Sequence, residues 1–302
     1  MKDSLIKSTT KRYRAERRIG LWFTLPALIT MAATVLYPII WSFKISLFES
    51  KGMMTSGPFV GLENYIYVLK SKLFQEALWQ TIGFVAATIF IELVLGFAIA
   101  LVLNRNLPGS KLFRILFTLP LMISMIVAGL QWRWLFADQY GVINNIIGSF
   151  GIEGPLWLGS VWGARASVLL ANVWLAAPFS ILVLLAALAA LSDDLYEAAR
   201  LDGANSFQMF WRITLPLLKP TILLILVLRL SDSFRLFDLV YIMTNGGPGG
   251  STEVLSTFIY KNTFTNLNFG TGAAASFLVM ILIMVICFIL FKILRPKEVP
   301  NK

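Results

Sequence analysis

Long apolar segments alternate with short polar ones along most of the chain. Each apolar segment exceeds the roughly 20 residues that a helix needs to cross about 30 Å of hydrocarbon. Backbone polar groups must find partners within the segment inside a bilayer, so we expect these segments to be helical. The pattern predicts an all-α membrane protein with six transmembrane helices, at about residues 19–47, 78–103, 112–136, 164–191, 217–243 and 272–294.

The composition agrees with a membrane protein and argues against several enzyme classes. Hydrophobic residues make up 57% of the 302 residues and charged residues only 14%, which is too apolar for an ordinary soluble domain. There is no histidine, so serine–histidine triads and histidine metal sites are excluded, and the single cysteine, Cys287, allows no disulfide within the chain. The sequence also lacks the glycine-rich phosphate loop that ends in Lys-Ser or Lys-Thr. We therefore expect a non-catalytic chain that binds no metal or cofactor, with any ATP hydrolysed by a partner.

Basic residues are distributed unequally between the two sets of connections. Six spans place both termini on one side, and that side carries 17 Lys and Arg residues against about 5 on the other. Because positive charge collects on the cytoplasmic face of membrane proteins, we expect both termini and residues 192–220 to be cytoplasmic. The net charge of +10 then indicates a bilayer partner rather than nucleic acid. Residues 1–18 form a basic cytoplasmic tail in this interpretation, and residues 19–302 form one transmembrane domain.

Residues 192–220 form a polar island between two apolar segments. Ser192 is a suitable helix N-cap, and the two aspartates after it lie at the positive end of the helix dipole. Gly203 predicts a sharp turn, a second short helix is expected from Ser206, and Pro216 limits its continuation. Because this predicted elbow is joined to a membrane helix at each end, a force applied to it would reach both helices.

The island carries a motif of fixed spacing. Glu197-Ala198-Ala199 is followed after three residues by Gly203, after nine more by Ile213, and then by Leu215-Pro216. The motif resembles the EAA loop of bacterial ABC-importer permeases. This resemblance implies the type I importer fold, with cytoplasmic coupling (EAA) helices whose Glu197 and Gly203 dock in a cleft of an ATPase subunit. The alternative is a cytoplasmic helical hairpin without a partner.

Further stretches extend the resemblance over nearly the whole chain after the tail. Residues 61–65, 113–120, 132–136, 140–144 and 234–248 are similar to sugar permeases of the maltose and glycerol-phosphate type, and more similar to the first of two paired permeases. This implies an inner-membrane subunit that imports a sugar, glycoside or polyol. The implied partners are a second homologous permease, two ATPase subunits that bind ATP and Mg²⁺, and an extracytoplasmic solute-binding protein. Ser233 and Leu236 replace amide side chains of the maltose permease, so the resemblance does not specify the sugar.

The predicted fifth span carries Arg229, Asp232, Arg235 and Asp238 at intervals of three residues. Charges inside a bilayer are costly, so these side chains should face protein or a water-filled cavity. One hypothesis is that Asp232, Ser233 and Arg235 line the translocation pathway. The alternative is a salt-bridge ladder that fixes helix packing.

A lone carboxylate, Glu92, lies in the second span. Pairing with Arg133 or Arg229 across the bundle is one interpretation, and a proton relay is the other. The relay would suit a rival function, an ion-coupled secondary transporter that uses Glu92 and Asp232.

Polar and aromatic residues in the third and fourth spans are further candidates for the pathway. Gln131 lies among tryptophans where the third span leaves the membrane, and these aromatics indicate either an interfacial belt or a surface for sugar stacking. Asn172 and Trp174 precede Pro178 in the fourth span. That span continues into the elbow, so it could move with it, although plain helix packing also explains its small residues.

Overall fold

In a computed structural model of the protein, the described residues are 22–50, 57–105 and 108–294, and they are almost entirely helical. The extended pairing in these ranges is one antiparallel bridge between Phe48 and Phe59. The predicted basic tail, residues 1–18, lies outside the described residues. In chain order the helices are α1 (Trp22–Ser46), α2 (Glu63–Lys70), α3 (Lys72–Leu103), α4 (Ser110–Thr118), α5 (Met125–Leu135), α6 (Val142–Ser149), α7 (Val161–Ala189), α8 (Asp193–Leu201), α9 (Ser206–Leu217), α10 (Lys219–Ser233), α11 (Asp238–Met243), α12 (Leu255–Tyr260) and α13 (Phe269–Leu294).

Four of these helices are long and apolar enough to cross a membrane as single elements. They are α1, α3, α7 and α13, and two bent pairs, α4 with α5 and α9 with α10, bring the number to six if each pair is one span. The expectation of an all-helical membrane fold is therefore confirmed. The second span was expected to begin at residue 78 but begins at Lys72, because α3 starts about a turn and a half before the predicted apolar segment.

The predicted third span, 112–136, is not one helix. A 3₁₀ turn, Leu119–Met122, follows α4, and the chain is extended at Ile123 and Ser124 before α5 begins, so α4 and α5 meet at 102°. Pro120 lies in the turn, where it has no N–H to donate to the preceding helical turn. The hydropathy pattern did not predict this bend, because the apolar character of a segment does not show whether the helix axis changes direction within it.

The predicted fifth span, 217–243, is also interrupted. Helix α10 ends at Ser233, four non-helical residues follow, and α11 begins at Asp238. Near the end of α10, Ser231 Oγ donates to the carbonyl of Val227 at 3.1 Å, so a side chain competes there for a backbone acceptor of the helix. Arg235 and Asp238 therefore do not continue the helical row of Arg229 and Asp232.

Helices α3 and α7 form the centre of the fold and make the most extensive helix pair. Small residues allow their close approach: the position of a Cβ added to Gly96 lies 3.1 Å from Leu184 Cδ1, and Ala164 and Ala171 are fully buried. Three apolar clusters border this pair. One joins α3 to α2, α10, α12 and α13, a second joins α3 and α7 to α10, and a third joins α3 and α7 to α5 and α11. Helix α1 lies at the edge, where Phe43 contacts Phe277 of α13 at 5.4 Å between ring centroids.

Candidate coupling elbow and translocation pathway

The coupling elbow, residues 192–217, consists of α8 and α9. Ser192 Oγ accepts a hydrogen bond from Asp194 N at 3.3 Å, as expected for an N-cap. Gly203 ends α8 in a left-handed conformation, with φ at +82°, which glycine adopts without the steric cost that other residues have. Asn205 and Gln208 form a reciprocal capping box at the start of α9. Local sequence signals therefore fix both helix ends at the corner.

Two contacts hold the elbow together and connect it to the membrane helices. The hydroxyl groups of Tyr196 in α8 and Thr214 in α9 are hydrogen-bonded at 2.9 Å. Phe210 in α9 lies 5.6 Å from Phe97 of α3, measured between ring centroids, in an edge-to-face arrangement. A displacement of the elbow would therefore be transmitted to α3 through this contact, and to α7 and α10 through the chain.

The motif residues of the elbow are accessible to a partner. Glu197, Ala198, Gly203 and Pro216 are exposed, whereas Ala199, Ile213 and Leu215 are half-buried. Large apolar side chains beside them are also exposed, namely Leu195, Leu201, Phe207 and Trp211. Exposed apolar side chains on an otherwise polar segment are typical of a protein-binding surface.

A buried charge cluster joins three spans at their centre. Glu92 of α3 is 1% exposed, and its carboxylate oxygens lie 2.9 and 3.1 Å from Nε of Arg229 in α10. Ser180 Oγ of α7 donates to the same carboxylate at 2.5 Å. Of the two partners predicted for Glu92, the structure selects Arg229, and Arg133 instead donates to the carbonyl of Ile242 at 3.1 Å.

The cluster continues towards an exposed surface through α10. Asp232 accepts from Arg229 at 3.3 Å and from Arg235 at 3.0 Å, and the side chain of Arg235 is 77% exposed. The ladder therefore forms over these three residues, and no ion pair among the described residues includes Asp238. Ser233 is buried, with 4% of its surface exposed. Its Oγ has no hydrogen-bond partner among the described residues.

An aromatic cavity lies between α5 and α7. Its volume is about 840 Å³, and the Trp132 and Trp174 rings meet edge to face with their centroids 5.8 Å apart. The lining residues are Leu130, Gln131, Trp132, Trp134, Leu135, Tyr140, Val142 and Trp174. An amide beside several aromatic faces can both hydrogen-bond and stack on a polyhydroxylated ligand.

The structure separates the other pathway candidates from this cavity. Asn172 is 8% exposed and donates to Thr88 Oγ1 of α3 at 3.0 Å, so it joins two helices. Sequence reasoning missed two partners, Thr88 for Asn172 and Ser180 for Glu92. For Thr88 a signal was present, because Thr81, Thr88 and Glu92 recur at intervals of seven and four residues and so share one face of α3.

Hydrogen bonds order the loops on the side opposite the elbow. Asn144 accepts from Trp157 Nε1 at 2.7 Å and donates to the carbonyl of Asp138 at 3.0 Å. Lys261 pairs with Glu253 at 2.6 Å. A hydrogen bond with Tyr241 raises the pKa of Tyr260 above its ordinary value.

Comparison with known proteins places this architecture in a family. The family of binding-protein-dependent transport system inner membrane components matches residues 92–299, a range that includes the whole elbow. The chain belongs to this family. It is a permease subunit of a binding-protein-dependent ABC importer, so the resemblance inferred from the elbow motif is confirmed.

Relatives of this permease cover nearly its whole length. The trehalose/maltose transport system permease protein MalF of Thermococcus litoralis is 35% identical, over 95% of this chain and 97% of the relative. The sulfoquinovosyl glycerol transport system permease protein SmoG of Agrobacterium fabrum is 33% identical, over 94% and 92%. The trehalose transport system permease protein SugA of Mycobacterium tuberculosis is 34% identical, over 95% and 92%.

A solved structure supports the fold. A chain of a bacterial alginate ABC transporter, crystallised with an alginate pentasaccharide-bound periplasmic protein, has a TM-score of 0.80 and 23% identity, covering 94% of this permease and 96% of that chain. A chain of the MetNI methionine ABC transporter matches at a TM-score of 0.53. The fold is the transmembrane fold of type I ABC importers.

Proposed function

We propose that the permease imports a carbohydrate, and that its aromatic cavity forms part of the translocation pathway. The observation that carries this proposal is the cavity between α5 and α7, where Gln131 lies beside Trp132, Trp134 and Trp174. Aromatic faces with a nearby amide suit the alternating apolar and hydroxylated faces of a sugar ring. The relatives described above are named for trehalose, maltose and a sulfoquinovosyl glycoside, which supports the same class of substrate.

The pathway would continue past the aromatic cavity to the exposed end of the charge cluster. Asp232 and Arg235 are accessible there and offer an acceptor and donors to hydroxyl groups. Ser233 and Asn172 would act behind this surface, by supporting α10 and α7. Gln131 and Trp174 are therefore the residues that we expect to contact substrate first.

The proposed assembly pairs this permease with a second homologous permease, two ATPase subunits and an extracytoplasmic binding protein. Both termini and the elbow would be cytoplasmic, where the exposed Glu197 and Gly203 meet an ATPase that binds ATP and Mg²⁺. Binding of ATP can drive alternating access only if one conformation binds it more tightly than the other. The elbow would transmit that difference in affinity to α3, α7 and α10.

An ion-coupled mechanism would need an available carboxylate within the membrane. Glu92 and Asp232, the two candidates for that role, both lie in ion pairs with Arg229. Each carboxylate is therefore already paired with a cation of the permease itself. This arrangement supports a structural role for the buried Glu92, whereas the side chain of Asp232 is 43% exposed and remains available to hydroxyl groups.

Uptake into proteoliposomes tests the proposed function. The complete importer should take up radiolabelled disaccharide only with internal ATP and external loaded binding protein, and liposomes with this chain alone should show none. In the complete importer, Trp174→Leu should raise the half-saturating concentration of loaded binding protein or lower the maximal rate by about twofold to tenfold, since a stacking contact contributes roughly 0.5–1.5 kcal/mol beyond area burial. Trp79→Leu, a change of the same kind outside this cavity, is the matched control. Gradient-driven uptake by the chain alone would overturn the proposal.

A further inference from the structure

An apolar crevice lies where α3 ends and α4 begins. Its volume is about 430 Å³. The lining comes from the last turns of α3, from Pro108 and from α4. Its main residues are Ala98, Val102, Leu103, Pro108, Phe113 and Phe117. Since a helix rises about 1.5 Å per residue, the crevice lies within about 8 Å of the end of α3. It is therefore at the depth where acyl chains meet lipid headgroups.

The crevice is on the same side of the membrane as the coupling elbow. Phe97, the residue before Ala98, contacts Phe210 of the elbow. The end of α3 and the elbow, residues 192–217, therefore lie at the same end of the bundle. With the elbow cytoplasmic, the crevice opens into the cytoplasmic leaflet.

The rim of the crevice is basic. Arg105, Lys111 and Arg114 each lie within two residues of a residue that lines the crevice. The sequence contains no Asp or Glu between Glu92 and Asp138. Arg105 and Lys111 are exposed. No ion pair within the described ranges includes any of the three. The rim therefore has uncompensated positive charge above an apolar lining.

The side chain of Arg114 provides a second observation, a buried N–H group without a hydrogen-bond acceptor in the described part of the chain. Its Nη2 donates to the carbonyl of Leu103 at 3.3 Å, which holds the side chain against the rim. Its Nε is buried and has no hydrogen-bond partner among the described residues. Because a buried donor without a partner is costly, an oxygen from a bound molecule would stabilise this arrangement.

We propose that this crevice binds an anionic phospholipid of the cytoplasmic leaflet, with an acyl chain between α3 and α4 and its headgroup on Arg105, Lys111 and Arg114. The apolar lining fits hydrocarbon, and the basic rim fits a phosphate group. Basic residues between membrane helices on the cytoplasmic side recognise such headgroups through the same combination of charge and hydrogen bonds. The occupied crevice would fix α4 against α3 beside the elbow.

Photo-crosslinking with lipid probes tests this site. The permease, in its complex with its natural partners in nanodiscs, is irradiated with phosphatidylglycerol or phosphatidylcholine that carries a photoreactive group in the acyl chain. Phosphatidylglycerol should label residues 98–117 more strongly than phosphatidylcholine. Lys111→Gln should reduce this preference about fivefold, which is the effect of one basic residue near an anionic headgroup. Lys292→Gln, at the end of α13, should leave it unchanged.

A second pair of variants tests the binding of the acyl chain separately from the binding of the headgroup. Ala98→Trp fills the crevice and should abolish labelling by both lipids, whereas Val94→Trp, one turn away on the exposed side of α3, should preserve it. Equal labelling by the two lipids, or unchanged labelling of Ala98→Trp, would overturn the proposal. So would crosslinks that join residues 98–117 to an ATPase or to a second permease in place of lipid.

Discussion

At the scale of single residues, Glu92 and Arg229 form a buried ion pair. Glu92 is 1% exposed and Arg229 is 11% exposed. A buried ion pair contributes little net stability, but removal of one partner leaves an unpaired charge that costs about 3–5 kcal/mol. The pair therefore fixes how α3, α7 and α10 fit together more than it adds to their stability.

Removal of one charge should destabilise the permease more than removal of both. We expect Glu92→Met and Arg229→Met each to lower the free energy of unfolding by about 3–5 kcal/mol, and the double variant to recover most of that loss. Arg235→Met is the control, because its exposed side chain should change stability by less than about 1 kcal/mol. Thermal unfolding of the purified complex measures all four. Additive losses in the double variant would show that the two side chains act independently.

Sequence reasoning restricted the partner of Glu92 to two arginines and could not choose between them. Arg133 and Arg229 both lie on predicted helices, and the choice depends on how each helix is rotated about its axis. The bend between α4 and α5 moves Arg133 towards α11, where the carbonyl of Ile242 accepts its hydrogen bond. Nothing in the apolar pattern encoded that bend.

At the scale of elements, the elbow was the part of the fold best predicted from sequence. The cap at Ser192 and the turn at Gly203 are short-range features, and both occur as expected. The role of the elbow in docking an ATPase stays a prediction. The third and fifth spans were predicted as continuous helices and are interrupted. A hydropathy average does not register the missing N–H of Pro120, or the hydroxyl group of Ser231 that bonds to the helix backbone near the end of α10.

Gly203 should be sensitive to its backbone conformation alone. A Cβ added at Gly203 would meet no atom within 4 Å, but its φ of +82° is unavailable to proline. Gly203→Pro should therefore change the angle of the elbow and uncouple ATP hydrolysis from transport, whereas Gly203→Asn should retain coupling because asparagine tolerates the left-handed region. The ratio of ATP hydrolysed to substrate imported measures the effect.

Gly151 offers the matched control. It has φ of +76° and equally open surroundings, but it follows α6 on the side opposite the elbow. Gly151→Pro should introduce similar backbone strain without a change in coupling. If Gly203→Pro and Gly151→Pro had the same effect on coupling, the elbow would have no special role.

At the scale of the whole molecule, the described chain has surfaces that suit a subunit of a larger assembly. Helix α1 is exposed along nearly its whole length, and the aromatic cavity and Arg235 are open at the surface. The elbow is exposed at one end of the bundle, and the ordered loops lie at the other. This polarity agrees with a permease that receives substrate at one face and mechanical work at the opposite face.

The position of Glu197 tests the central claim most directly. Glu197→Cys in a Cys287→Ser background gives the permease a single thiol, since Cys287 is its only natural cysteine. In sealed vesicles, this thiol should react with a membrane-impermeant reagent only from the cytoplasmic side. In the assembled importer it should crosslink to the ATPase subunit and block ATP-driven uptake until the crosslink is reduced. Labelling from the outer side, or uptake that continues with the ATPase fully crosslinked, would contradict the account.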